Sequence, residues 1–304
     1  MAVFTITAAC ASPAVAEEPA VFSPPAPLPP VDVSAIIAHG LIGEMSLGMF
    51  QSGTEPEPVD IEAQGSPDLA QQLQNPVAAL ISVPFQFNYD EGFGPRDASR
   101  YTLNIQPVIP IELSDDWNLI SRTIVPLIYQ ESLADGLSSD AGIGDTVQSF
   151  FFSPKDPVGG WIIGAGPVFL LPTGTTPRLR SEQFGLGPTI VALRQSQGWT
   201  YGALVNHIWG FDDSDDHDEV NATFFQPFVS YTWPTSTTLG FNAETTYDWN
   251  DDDLTLPLNL SVSQVLRIGN QPVSVAIGGR YYADAPEGGP EWGLRFTFTL
   301  LFPR

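Results

Sequence analysis

Three arginines and two carboxylates stand out in a chain that is poor in cations. Arg122, Arg280 and Arg295 fall on the polar sides of segments whose side chains alternate in polarity, as do Glu244 and Asp248. Opposed charges gathered around an opening select polar solutes by their field. Gathered without an opening, they pair and lock a shape. The densest charge run is Asp212, Asp213, Asp215, Asp216, His217, Asp218 and Glu219. Its oxygens are weak candidates for divalent cations, because the run lacks the sixth-position glycine and the spacing of an EF-hand loop. Either cations bridge it to phosphorylated lipid at a cell surface, or it is a solvated loop. A His and a Ser two residues apart on one strand face would set a base beside a nucleophile. No such pair exists, since His39, His207 and His217 are followed two places on by Leu41, Trp209 and Glu219. There is no phosphate loop, dinucleotide fingerprint or zinc spacing. The chain therefore reads as a non-enzyme with no catalytic residues and no cofactor.

Composition narrows the class further. The 304 residues carry 11 Lys+Arg against 35 Asp+Glu, a net charge of -24 that would repel a phosphate backbone and excludes nucleic acid as a partner. The 27 glycines and 29 prolines are too many for a helix bundle, and one cysteine makes no disulfide scaffold. No stretch reaches the roughly 18 uncharged apolar residues of a spanning helix. Spanning strands need only about 9–11 residues each and alternate in polarity.

Residues 1–16 read as a secretory signal peptide, with Ala14-Val15-Ala16 before Glu17, although a basic start is missing. Residues 17–74 form an acidic, Pro-rich segment without Lys or Arg, expected in the periplasm as a tether or as a plug. Ser66-Pro67-Asp68 opens a short helix at its end, with a capping Ser, a first-turn Pro and an acid at the positive dipole end.

From residue 75 the period becomes two. Val77, Ile81, Val83, Phe85, Phe87 and Tyr89 share a face opposite Ser82, Gln86, Asn88 and Asp90; near the end, Trp292, Leu294, Phe296, Phe298 and Leu300 oppose Gly293, Arg295, Thr297 and Thr299. Twelve such segments are expected, at about 76–90, 99–112, 117–130, 143–153, 159–171, 183–194, 198–210, 219–233, 236–249, 254–266, 271–283 and 291–302. At 11–15 residues they exceed the usual globular strand and suit an apolar band about 25 Å tall. Tyr89, Tyr101, Trp117, Tyr129, Trp161, Trp199, Trp209, Trp233, Trp249 and Trp292 cluster at segment ends, where interfacial girdles belong. Connections after odd segments are mostly long and those after even ones short, which sets both termini on the periplasmic side. The expected fold is all-β: a twelve-stranded antiparallel transmembrane up-and-down barrel over residues 75–304, behind a mostly irregular N-terminal segment. Pro84, Pro107, Pro110, Pro126, Pro167, Pro188, Pro227 and Pro257 fall inside these strands and each removes a ladder donor, so bulges or unpaired stretches are expected.

Several stretches, among them NPVAALISVPFQFNYD, GAGPVFLLPTG, GLGPTIVALRQSQGWTYGALVNHIWGF and GPEWGLRFTFTLLFP, resemble a family of outer-membrane β-barrels. That family is catalogued under the MetA pathway of phenol degradation, is commonly called transporter and is sometimes misnamed neuromedin U. The resemblance covers nearly all of residues 75–303. It implies a bacterial outer-membrane location and passage of small, in part aromatic, compounds, and it carries no catalytic residues. The Pro-rich stretch before Ser66 and the ending Pro303-Arg304 after Phe302 depart from it.

Twelve tilted strands leave a lumen on the order of 10 Å wide after side chains are subtracted. The faces assigned inward carry Gln86, Asn88, Asn104, Gln106, Arg122, Gln130, Asn242, Glu244, Asp248, Asn259, Arg280 and Arg295. The expected function is a passive outer-membrane channel for small solutes, with an acidic mouth that favours cations. The alternative is a structural or adhesive surface barrel with a closed lumen and cation-binding acidic loops. Expected partners are outer-membrane lipid and lipopolysaccharide, a small-molecule solute and divalent cations.

Overall fold

The computed structural model describes residues 61–62, 66–211 and 220–303. The signal peptide, most of the acidic segment, and the cation candidates Asp212, Asp213, Asp215, Asp216, Asp218 and Glu219 lie outside the described residues. Twelve antiparallel strands follow one another around a closed ring. In chain order they are β1 (Ile81–Phe93), β2 (Ala98–Ile105 and Val108–Glu112), β3 (Trp117–Gln130) and β4 (Asp140–Ile143 and Thr146–Pro154). Then come β5 (Ile162–Leu171), β6 (Phe184–Ser196), β7 (Trp199–Phe211) and β8 (Asn221–Thr232). The last four are β9 (Thr237–Ala243 and Thr245–Asp248), β10 (Asp253–Ile268), β11 (Gln271–Asp284) and β12 (Trp292–Phe302). Pairing of β12 with β1, from Ile81↔Phe302 to Glu91↔Trp292, closes the ring and leaves no free edge. Among the described residues one α-helix, α1 (Pro67–Leu73), precedes the barrel, capped by the Ser66 hydroxyl.

The first strand differs from its expected place. Asn75 accepts the Val77 amide on Oδ1 and the Ala78 amide on its carbonyl, so residues 75–80 turn before β1 begins. Val77, Ala78 and Leu80 are buried against inward-facing wall residues and do not join the outer face. At its other end β1 runs on to Phe93, which shortens the first connection to residues 94–97.

The strand prolines explain the broken strands. At the interruption of β2, the Gln106 amide donates to Pro84 O and the Thr123 amide to Pro107 O. The break in β4 sends the Gly144 amide to Pro126 O, and that in β9 sends the Glu244 amide to Pro257 O, where the register of β10 against β11 also shifts. Pro167 and Pro188 face each other across β5 and β6. On the far side of each the ladder lapses, between Ser149↔Val168 and Phe152↔Ala165, and between Asn206↔Thr189 and Trp209↔Leu186. The preceding glycines fill these gaps. A Cβ on Gly166 would lie 2.0 Å from Phe150 O, and one on Gly187 would lie 1.6 Å from His207 O. Their Cα–H groups meet carbonyls that a proline nitrogen cannot serve.

The outer surface requires lipid. Mid-strand Ile277, Leu260 and Ile190 are 68%, 55% and 51% exposed, within a continuous apolar band that water would not tolerate. Aromatic rings bound the band. Tyr89, Tyr101, Tyr129 and Trp292 form one contiguous row with centroids 5.2–5.9 Å apart. At the opposite end Trp199, Tyr231 and Trp233 are joined at 5.0 and 5.1 Å. Among the described residues no helix is long and apolar enough to cross a membrane, so the crossing is by strands.

The inner surface has two unlike sectors. From β3 to β8 the inward positions are largely apolar: Ile120, Phe151, Val191, Leu193 and Leu204 are at most 2% exposed and pack together beneath Val77. Ile124, Val147, Val168, Leu170 and Ile208 make a second cluster in the same sector. From β9 through β12 to β2 the inward positions are mostly polar, among them Asn242, Glu244, Asn259, Arg280, Arg295, Thr297, Asn88 and Asn104.

Candidate functional site

A charged network is built on the polar sector. Glu244 sits in the break of β9, where Pro257 takes its amide, and its carboxylate crosses the lumen side of the sheet to β11 and β12. Arg295 grips it with two parallel bonds, Nη1 to Oε1 at 2.7 Å and Nη2 to Oε2 at 2.9 Å, and its Nε donates to Asn88 Oδ1 at 2.7 Å. Such a fork fixes geometry as well as charge. Arg280 donates from Nη1 to Asp90 Oδ2 at 3.2 Å, and its Nη2 lies 3.6 Å from Glu244 Oε2. The Tyr282 hydroxyl donates to Asp90 Oδ1 at 2.9 Å. Gly293 makes room for this arrangement, because a Cβ there would fall 2.3 Å from Asp90 Oδ1.

Nearer the periplasmic end a cavity of about 240 Å3 separates the polar sector from α1 and the following turn. Arg122 lines it, donating from Nη2 to Gln106 Oε1 at 3.0 Å. Gln226 and Asn242 line it too; Gln226 Nε2 also reaches Glu244 Oε1 at 3.5 Å. Asn242 accepts from Asn259 Nδ2 at 2.9 Å.

The N-terminal helix enters the barrel at the short-turn end. Leu69, Ala70 and Leu73 pack on Val265 and Leu301, both inward-facing, and on Ala78 and Leu80. Gln195 Nε2 donates to Gln71 O at 2.6 Å, tying the helix to the end of β6. At the opposite mouth residues 172–183 tuck against the wall. The fully buried Asp145 holds them by accepting from the Gly174 amide and from both the amide and hydroxyl of Ser181. Leu179 is buried there, beside Gly142 and Gly144.

The structure thus gathers four of the inward-assigned residues, Asn88, Glu244, Arg280 and Arg295, into one network, and pairs Gln106 with Arg122 and Asn242 with Asn259. Gln86 stands inward between Thr297 and Asn104 in the register. Gln130 bonds Arg100 and the Ser99 carbonyl. Asp248 stands apart, accepting the Asn250 amide at the β9–β10 turn. Asp90 and Tyr282 were absent from the inward set. Asp90 shares its face with Asn88, two residues away, and Tyr282 stands two residues beyond Arg280; both lie within the expected strands, so parity alone marks both as inward.

His207 faces outward. Its Nδ1 lies 2.7 Å from the Thr223 hydroxyl, which accepts from Trp249 Nε1 at 2.8 Å, and its ring lies tilted against that of Trp209 with centroids 4.2 Å apart. This is a polar knot within the aromatic girdle. His39 and His217 lie outside the described residues. Among the described residues no group of three His, Cys, Asp or Glu side chains is placed to hold a metal ion.

A closed, lipid-belted ring of twelve antiparallel strands with a charged interior is the fold of a bacterial outer-membrane β-barrel. Among solved structures, an outer-membrane channel of Pseudomonas putida F1 aligns with a TM-score of 0.58 at 14% identity, covering 82% of this chain and 100% of that one. It shows the fold that the sequence resemblance implied. Outer membrane phospholipase A of Escherichia coli aligns at 0.44, with 11% identity over 72% of this chain and 92% of its own. The β domain of a Bordetella autotransporter also reaches 0.44, at 10% identity over 74% of this chain and 100% of its own. No family model and no curated protein matches the sequence.

Proposed function

We propose that the protein is an outer-membrane channel for small solutes, entered past residues 172–183 and closed toward the periplasm by α1. The observation that carries this reading is the cavity left between the polar sector and α1, at the foot of a charged network inside the barrel. A barrel needed only as a surface scaffold has no use for a desolvated charge such as that of Arg122 aimed at an open space, since apolar packing is as stable. The helix is a removable stopper: its apolar contacts with the wall come from Leu69, Ala70 and Leu73, a small area for a seven-residue helix, and its hydrogen bonds to the wall come from Gln71 alone among the described residues.

The test is single-channel conductance of the refolded full-length chain in a planar bilayer, alongside Ala70→Glu. Ala70 is 1% exposed between helix and wall, so a carboxylate there expels the helix. Small discrete steps in the parent and steps several-fold larger in the variant are the expected outcome. Silence in both, with folding confirmed by retarded gel migration without heating, would move the weight to a closed surface barrel. The inward-held residues 172–183 favour that second reading.

A further inference from the structure

Not every inward charge has a counter-charge in contact. Asp90 and Glu244 are engaged by Arg280 and Arg295. Among the described residues no carboxylate lies within 4.0 Å of Arg122, whose guanidinium bonds only the neutral Gln106. Glu244 acts on Arg122 only from beyond contact distance, and Arg122 stands where there is space. Among the described residues Arg122 is the only charged side chain lining the 240 Å3 cavity. The rest of the lining mixes amide and apolar groups. Gln106 and the apolar Val108 stand beside Arg122, Asn242 and Phe228 pair on the facing wall, and Leu73 comes from α1.

A guanidinium taken out of bulk water with no carboxylate in direct contact gains from an anion that can accept two parallel N–H donors. The cavity is smaller than the roughly 300–1,000 Å3 of drug-sized pockets, which limits the occupant to a few heavy atoms. We propose that this cavity binds a small monocarboxylate carrying a short apolar tail. The carboxylate docks on Arg122, and the tail lies along Leu73 and Phe228. The site is thus opposite in sign to the acidic outer loops. The proposal deepens the channel reading by naming the solute class and rests on it only for the route by which the solute arrives.

Binding is measured by titration calorimetry on the refolded full-length protein in detergent, with sodium butyrate as the probe. Butan-1-ol, butylammonium chloride and sodium phosphate are titrated in parallel. Butyrate is expected to bind saturably at one site, with the alcohol and the amine at least tenfold weaker. Gln106→Glu sets a carboxylate on the Arg122 guanidinium with no change of shape, and is expected to weaken butyrate at least tenfold. Arg122→Gln should do the same, and retarded gel migration shows that each variant is folded. Equal binding of butyrate and butanol, or undiminished binding in a folded Gln106→Glu, overturns the proposal. Phosphate binding as tightly as butyrate overturns the carboxylate assignment in favour of a general anion site. Conductance separates the two readings: saturable butyrate binding without current sinks the channel and keeps the site, while current without binding sinks the site and keeps the channel.

Discussion

The two sectors of the inner wall solve opposite problems with the same strand geometry. Between β3 and β8, side chains that point inward meet one another, and Phe151, Val191 and Leu204 are as buried as the core of a soluble protein. Between β9 and β2, the inward side chains reach for hydrogen bonds, and space remains beside them. The inner wall is therefore packed like a core on one side and polar on the other. On the proposed channel reading, stability and passage fall to different strands, so a substitution should disturb one without the other according to its sector.

The largest effect is expected from a charge placed on the apolar sector. Leu204→Asp sets an unpaired carboxylate among Ile120, Phe151 and Val191 and should cost more than about 5 kcal/mol, enough to block refolding. Thr297→Asp on the opposite wall should refold; an equal loss in both would erase the distinction between sectors. Next comes Arg280→Met, which strands Asp90 and should cost about 3–5 kcal/mol in urea unfolding in phospholipid vesicles. Adding Asp90→Asn should return part of that loss, because the uncompensated charge is then gone. Smallest is Gly293→Ala, where the new methyl displaces the Asp90 carboxylate; a loss of about 1–3 kcal/mol is expected, with altered conductance. If Gly293→Ala lowers stability as much as Arg280→Met, the Asp90–Arg280 contact is the whole of the network's strength.

How much of this was legible depended on how unlike the two faces of a strand are. In β1 and β12 apolar and polar residues alternate strictly, so outward Phe85, Phe87 and Phe296 and inward Asn88 and Arg295 could be read directly. In β6 both faces are apolar: Leu186, Ile190 and Ala192 face lipid while Val191 and Leu193 face the core. A period of two then gives no contrast, and the apolar inner sector stayed invisible. Val77 was misplaced for a related reason. Its alternation continues that of β1, and only the Asn75 side chain, which takes the Val77 amide, turns it inward. Glu244 was assigned to the lumen, but its pairing with Arg280 and Arg295 depends on the break opposite Pro257, which no periodicity reveals. Asp248, close by in sequence, lies past that break and serves a turn.

The repeated Gly-Pro pair bears on how such a wall is put together. Pro167 and Pro188 face each other, and each leaves its missing donor on the side away from its partner. If β6 were added to β5 one residue out of step, the strand would turn over and a proline nitrogen would enter the shared ladder. The carbonyls now met by Gly166 and Gly187 would be left without a neighbour in lipid, where no water can replace it. The two dipeptides act as a key between consecutive strands, admitting one alignment at the moment of zipping and rejecting its nearest error.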